Sequence, residues 1–212
     1  MSGVVVIDYG MGNLRSVSKA LESLGAAVRV SGEPKDVAQA DRLILPGVGA
    51  FPAAMAELSA RGLAEPIKAA VAKGTPYLGV CLGLQLLFDE SEEGGGAAGL
   101  GILRGKVRRF DGAAKLKIPH MGWNQVEPRM SPSGRRRRSP LLKDIPDGSH
   151  FYFVHSYYAE PAEQGVVALE TDYGVRFASM IERKQLYATQ FHPEKSQAAG
   201  LTLLRNFLAL TR

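Results

Sequence analysis

The chain has one cysteine, Cys81, among 212 residues. No internal disulfide can form, so a packed core must hold the fold. No apolar run approaches the ~20 residues that a membrane-spanning helix needs, which excludes helical transport and channel functions. Cys81 and the four histidines, His120, His150, His155 and His192, stand at no metal-ligand spacing, so neither a metal nor a cofactor is expected. No internal repeat is visible. Charge of one sign is also scarce: 26 Lys and Arg against 21 Asp and Glu leave a net +5. Much of that excess lies in one run, Arg135 to Arg138, and no aromatic residue interleaves it. A solvated loop over Ser131 to Pro140 fits this run better than a nucleic-acid surface. The opening MSGVVVIDYG carries no hydrophobic leader, and a cytoplasmic location is expected.

What remains is an ordinary globular composition, 45% hydrophobic and 22% charged. The length suits one domain over residues 1–212. Apolar runs at Val4 to Ile7, Ala27 to Val30, Arg42 to Leu45 and Tyr77 to Val80 predict buried strands. Between them, Leu14, Val17, Leu21 and Leu24 fall at helical spacing behind Asn13, a good N-cap residue. Helices are predicted over Pro52 to Arg61 and Pro66 to Ala72. This alternation implies an α/β fold with a mostly parallel central sheet covered by helices on both faces. After Phe88 the texture changes. Strand patterns at Ile102 to Phe110, Trp123 to Glu127, Phe151 to Tyr158, Val166 to Thr171 and Val175 to Ile181 predict additional antiparallel or mixed strands in the second half. Leu186 to Phe191 reads as a last strand, and Ser196 to Leu210 as a closing helix.

Chemistry gathers at Thr75 to Phe88. Cys81 sits between Gly79 and Gly83 at a strand-to-helix junction, the G-x-C-x-G form of a nucleophile elbow. Small neighbours let the chain turn sharply and push the thiol out of the sheet edge. A helix starting at Leu82 would aim free N–H groups and its dipole at the sulfur, favouring the thiolate. The Leu82 N–H is placed to hold a developing oxyanion. A glycine loop, Gly47-Val48-Gly49, follows the third strand and would lie beside the elbow if the two strands are neighbours. Near the end, His192-Pro193-Glu194 places an imidazole and a carboxylate two residues apart, facing the same way on an extended segment. Proline between them stiffens the pair. Cysteine elbow, histidine and acid together make a Cys–His–Glu triad. Asp8 to Asn13 contains G-x-G between strand and helix, but Arg15 stands where a dinucleotide fingerprint needs its third glycine.

GVCLGLQLLF and QFHPEKS resemble the class I, triad-type glutamine amidotransferases. PGVGAF, DYGMGNLRSV, IPHMGWNQV and FYFVHSYY are similar to the branch of that family formed by the glutaminase subunits of imidazole glycerol phosphate synthase. The resemblance covers nearly the whole chain and implies a flavodoxin-like sheet. It implies that Cys81 attacks glutamine, His192 shuttles the proton and Glu194 orients it. Leu82, Val48 and Gly49 would supply the oxyanion hole. Gly47, Gln85, Glu93, Ser156 and Tyr157 would bind glutamine. Asn13, Met121, Trp123, Tyr152 and Lys195 would face a (β/α)8-barrel cyclase subunit in a heterodimer. Ammonia would be channelled to that partner in histidine biosynthesis, and the partner would activate the glutaminase allosterically. The Arg135 to Arg138 loop departs from the family pattern in length and charge.

Three other readings share parts of this signal. A triad amidotransferase of vitamin B6, anthranilate or purine synthesis would have the same active site and differ at the interface stretches. A thiol peptidase or esterase could use the same elbow. A non-catalytic RNA-binding module would rest on the arginine run alone.

Overall fold

The computed structural model describes residues 3–111, 116–130 and 139–211. The expected loop at Arg135 to Arg138 lies outside the described residues. The first strand, β1 (Val4–Ile7), is followed by α1 (Leu14–Ser23), β2 (Val28–Ser31), α2 (Pro34–Gln39) and β3 (Leu43–Gly47). Two longer helices, α3 (Phe51–Ala60) and α4 (Ala64–Lys73), precede β4 (Tyr77–Cys81) and a single helical turn, α5 (Leu82–Gln85). Strands then dominate: β5 (Phe88–Ser91), β6 (Ala97–Ala98), β7 (Leu103–Arg109), β8 (His120–Gln125) and β9 (Glu127–Pro128). They continue with β10 (His150–His155), β11 (Tyr157–Pro161), β12 (Val167–Asp172), β13 (Arg176–Arg183) and β14 (Leu186–Thr189), before the closing helix α6 (Gln197–Leu208).

Among the described residues the main sheet has eight strands in the order β2-β1-β3-β4-β14-β13-β12-β9. Every pairing from β2 to β14 is parallel, and those from β14 to β9 are antiparallel. The parallel part has the 2-1-3-4-5 order of flavodoxin-like sheets, with β14 in fifth place. Alternation explains why its strands read as continuous apolar runs. Val4 and Val6 face one core with Val17 and Leu21 of α1 and Leu203 and Phe207 of α6. Val5 and Ile7 face the other with Val37, Leu58 and Ile67 of α2, α3 and α4. Both sheet faces are covered, so neither face selects polar residues. A four-stranded sheet, β11-β7-β5-β6, and a two-stranded ribbon, β10-β8, carry the remaining strands.

Three expectations need correction, and one element, the short helix α2, carries no signal in the sequence. Asn13 stands at the cap position of α1 but makes no side-chain cap bond; only its carbonyl accepts, from the Val17 N–H at 3.1 Å. The helix after Cys81 stops at Gln85, and Phe88 already belongs to β5. The expected strand Phe151 to Tyr158 is two strands, β10 and β11, parted at Ser156 and placed in different sheets.

Candidate active site

Cys81 closes β4 with φ 56° and ψ −109°, a backbone region that a residue with a Cβ seldom occupies and that marks a strained elbow. The flanking glycines are needed for contact. A Cβ on Gly79 would stand 2.5 Å from the Gly83 carbonyl oxygen, and one on Gly83 would overlap the Leu45 carbonyl. Helical turn and strands therefore touch backbone to backbone, and any larger side chain would drive them apart. α5 is four residues long, so the macrodipole expected from a full helix is largely absent. The first N–H groups of the turn still lack intrahelical partners, as at any helix start, and Leu82 lines the same cavity as Cys81.

β3 pairs with β4 in parallel, with Gly47 opposite Cys81. That neighbourhood brings the Gly47-Val48-Gly49 loop to the elbow, as the sequence predicts. Gly49 has φ +95°, and a Cβ at Gly47 would meet the Leu82 Cβ at 2.7 Å and the Tyr9 hydroxyl at 2.8 Å. Val48 itself is 41% exposed, so the loop tip is not locked by packing.

β14 pairs with the other side of β4 and delivers His192. Two bonds tie its backbone to Tyr152 of β10 and to Ser196, the cap of α6, and a third joins those two to each other. The His192 N–H donates to the Tyr152 carbonyl at 2.9 Å, the Ser196 hydroxyl donates to the His192 carbonyl at 2.6 Å, and the Tyr152 N–H donates to the Ser196 hydroxyl at 3.0 Å. His192 Nδ1 and Glu194 Oε1 are 2.8 Å apart, and both side chains are buried. Nε2 is buried and has no hydrogen-bond partner, and the Cys81 sulfur acts on the ring through its charge. Such looseness is common in triads without substrate. Burial pushes the imidazolium down most strongly of any single influence. The Cys81 thiolate and the Glu194 carboxylate together outweigh it and bring His192 up to about 10.

A cavity of about 380 Å³ opens over these groups, lined by Cys81, Leu82, Gln85, Glu93, Ser156, Tyr157, Val48, Gly49 and His192 among others. Glu93 Oε2 accepts the N–H of Phe51, the first residue of α3, at 2.8 Å, so its charge is seated on a helix start. Gln85 donates through Nε2 to the Tyr157 carbonyl at 2.9 Å and to Gln190 Oε1 at 3.0 Å. Both amide hydrogens are used, which leaves its oxygen for the cavity. Gln190 in turn donates to Cys81 Sγ at 3.7 Å. The sequence reading missed Gln190 and Ser196, although both lie beside the histidine in TQFHPEKS.

The residues assigned to a docking face also meet. On the β8–β10 ribbon Trp123 stands opposite Tyr152, with ring centroids 6.2 Å apart, and Lys195 Nζ lies 5.7 Å from the Tyr152 ring. Met121, two residues from Trp123, is 57% exposed and Trp123 is 47% exposed. Trp123 is therefore not a core residue. Asn13 stands just before α1, which packs against the Pro193–Lys195 turn.

A family model described as class-I glutamine amidotransferase matches residues 5–210. The chain belongs to the class-I glutamine amidotransferases. Within them it is 51% identical over 209 residues to a protein of Syntrophotalea carbinolica described as imidazole glycerol phosphate synthase subunit HisH, covering 96% of this chain and 98% of that one. It is likewise 51% identical over 212 residues to a protein so described from Moorella thermoacetica, covering 100% and 97%. Among solved structures, PurLQS from Thermotoga maritima overlays with a TM-score of 0.74 at 18% identity, covering 98% of both chains. A crystal structure of a glutamine amidotransferase overlays with a TM-score of 0.72 at 21% identity, covering 97% and 96%. These two likenesses establish the fold.

Proposed function

We infer that this chain is the glutaminase subunit of imidazole glycerol phosphate synthase in histidine biosynthesis, built as one amidotransferase domain. The observation that carries the chemistry is the single cavity in which Cys81, at a strained elbow, lies beside a buried His192–Glu194 pair. The full-length relatives support the choice of synthase over vitamin B6, anthranilate and purine amidotransferases, and over a peptidase or an RNA-binding module.

In this reading glutamine enters with its ammonium toward Glu93 and the Gln85 oxygen, and its carboxylate toward the Ser156–Tyr157 backbone. The Cys81 sulfur attacks the side-chain amide carbon. His192 gives its proton to the departing nitrogen, so ammonia leaves and a thioester remains. The same imidazole then takes a proton from water, which attacks the thioester, and returns it to the sulfur as glutamate is released. The Leu82 N–H and an N–H of the Val48–Gly49 loop hold the oxyanion formed in both steps. Ammonia passes to a (β/α)8-barrel cyclase subunit docked on Met121, Trp123, Tyr152, Lys195 and Asn13.

The test is glutamate release from the isolated chain, from the bare complex, and from the complex with a ligand of the cyclase subunit. The unpacked glycine loop allows its central peptide two orientations, and one oxyanion donor is worth ~100- to 1,000-fold in rate. The liganded complex is therefore expected to exceed the isolated chain by at least ~100-fold. Full activity in the isolated chain would show that the hole is preformed and that the partner does not switch it.

Docking makes a second expectation. Trp123→Ala should weaken binding of the cyclase subunit by about 10- to 100-fold, as for an aromatic anchor at the centre of an interface. The melting temperature should hardly move, because the indole is half exposed. Titration by calorimetry beside a thermal melt separates the two. A large loss of stability with unchanged affinity would return Trp123 to a purely structural role.

A further inference from the structure

Two buried histidines take no part in the triad. His120 begins β8 and His155 ends β10, and they are register partners across the ribbon. Their rings sit in an aromatic box. His120 stacks on Tyr173 with centroids 3.9 Å apart and on Phe153 at 4.8 Å. His155 lies 5.3 Å from Phe110 and 5.2 Å from Phe177. His120 Nδ1 and His155 Nε2 are 2.9 Å apart, His155 Nδ1 lies 2.8 Å from the Tyr157 carbonyl oxygen, and Asn124 Nδ2 lies 3.2 Å from His120 Nε2.

Only one arrangement of protons satisfies these contacts. The Tyr157 carbonyl can only accept, so His155 carries its proton on Nδ1, and its Nε2 must accept. His120 therefore donates from Nδ1, and its Nε2 accepts from the Asn124 amide. Both rings are neutral, since a second proton on either would set an N–H against an N–H or against the amide donor. Burial agrees, pushing His120 down to about 4 and, with smaller influences beside it, His155 down to about 3.

The relay ends on the cavity wall. Tyr157 stands opposite Arg109 on β7, while the Phe110 N–H donates to the carbonyl of the preceding Ser156. In an antiparallel ladder this turns the N–H and C=O of Tyr157 away from β7. Its carbonyl accepts two bonds there, from His155 Nδ1 and from Gln85 Nε2. The N–H of the same peptide, that of Tyr158, faces Arg108 of β7, so the ladder holds one side of it and the histidine and the glutamine hold the other.

We propose that the His120–His155 pair is a positioning device for the glutamine seat, holding the Tyr157 carbonyl so that the Ser156–Tyr157 backbone and the Gln85 oxygen are presented to the substrate. His155 itself lies in the cavity wall, but in this role it acts through the Tyr157 carbonyl and on no reacting atom. The relay starts at Asn124, next to Trp123, so the seat and the exposed face of β8 are fixed to the same two rings. The inference rests on the glutaminase reading above.

The experiment compares His155→Leu with His155→Asn in the complex with the cyclase subunit. Asparagine can place an N–H close to the position of the imidazole Nδ1; leucine cannot. His155→Leu is expected to raise KM for glutamine about tenfold or more, the effect of losing roughly one good hydrogen bond's worth of placement. Its kcat and the rate of Cys81 alkylation by iodoacetamide should stay near the parent's. His155→Asn should keep KM within about threefold of the parent, since the lost difference is then under 1 kcal/mol. If His155→Leu does not fold, His155→Gln takes its place, because glutamine puts its N–H at the Nε2 position instead. An unmoved KM in the folded leucine or glutamine variant, or equal KM values in the asparagine and leucine or glutamine variants, would overturn the positioning role. Absence of glutamine hydrolysis by the parent complex would overturn the glutaminase reading itself, and the positioning role with it.

Discussion

Cys81→Ala is expected to lower glutamine hydrolysis by at least ~10⁴-fold, the scale on which triads lose a nucleophile, without changing the melting temperature by more than a few degrees. The physical grounds are local. Alanine retains the Cβ, so the backbone at φ 56° carries the same strain before and after the change. Only the sulfur is lost; its contacts with the Val154 carbonyl at 3.9 Å and the Gln190 amide at 3.7 Å are long and weak, and the charge interaction with His192 that goes with it is seen in the pH dependence rather than in the packing. Glycine is not an equivalent test, because it would relax the elbow. Glutamate release measures the loss. Cyclase turnover with free ammonia measures what should survive, since the docking face is untouched. Turnover of glutamine well above the uncatalysed background would show that the amide is attacked by some group other than the sulfur.

His192→Ala and Glu194→Gln should separate. Removing the imidazole deletes both proton transfers and should cost at least ~10³-fold in kcat. Glu194→Gln should cost less, about 10- to 100-fold. Glu194 Oε2 has no hydrogen-bond partner in its buried position, so a glutamine can turn its oxygen to the His192 Nδ1–H without displacing anything. The productive tautomer is then kept, and only the stabilising charge is lost. Equal and complete loss in both variants would give the carboxylate a direct role in the chemistry. The same pair makes a claim on stability. His192 is raised from 6.5 to about 10, so its contribution is fully present below pH 6.5 and is lost as pH climbs toward 10. Without the thiolate part of that rise disappears. Melting temperatures of Cys81→Ala should therefore fall less steeply over this range than those of the parent.

The parts of the site legible from sequence are those carried by short contiguous stretches. Gly79, Cys81 and Gly83 state their own steric problem. His192 and Glu194 are legible as a pair, but the extended segment expected to join them is a 3-10 turn over Pro193–Lys195 that proline begins, and it is this turn that brings the two side chains to 2.8 Å. What stayed hidden depends on contacts between distant segments. Gln190 reads as one more residue of a buried strand until β14 is laid beside β4. His120 and His155 look like scattered core histidines until the β8–β10 register makes them neighbours. The sequence starts a helix at Leu82 and shows no end to it, because Leu84, Leu86, Leu87 and Phe88 are all apolar. In the fold all four are buried, and a stretch buried on every side shows no period from which helix and strand can be told apart. α2 is too short to show one, and its buried Asp36 hides the apolar face. That carboxylate is held by Arg29 at 2.6 Å and by the Ser31 hydroxyl at 2.6 Å.

The place of β14 in the main sheet bears on how the chain is made. It spans Leu186–Thr189, close to the end of 212 residues, yet it lies between β4 and β13 in the interior of the eight-stranded sheet. During synthesis β1 to β4 leave the ribosome well before it. Until it arrives, β4 is an open edge with unpaired backbone groups next to the thiol, the kind of edge that invites wrong partners. β13 and β12 cannot join the sheet either, because β13 reaches it only through β14. A nascent chain therefore holds a half-built sheet and no general base until translation has passed β14 and His192. Thiol and imidazole meet only when the central slot is filled, so glutamine-hydrolysing chemistry and a completed hydrophobic core appear in the same folding event. A chain cut short before Leu186 would be left with neither.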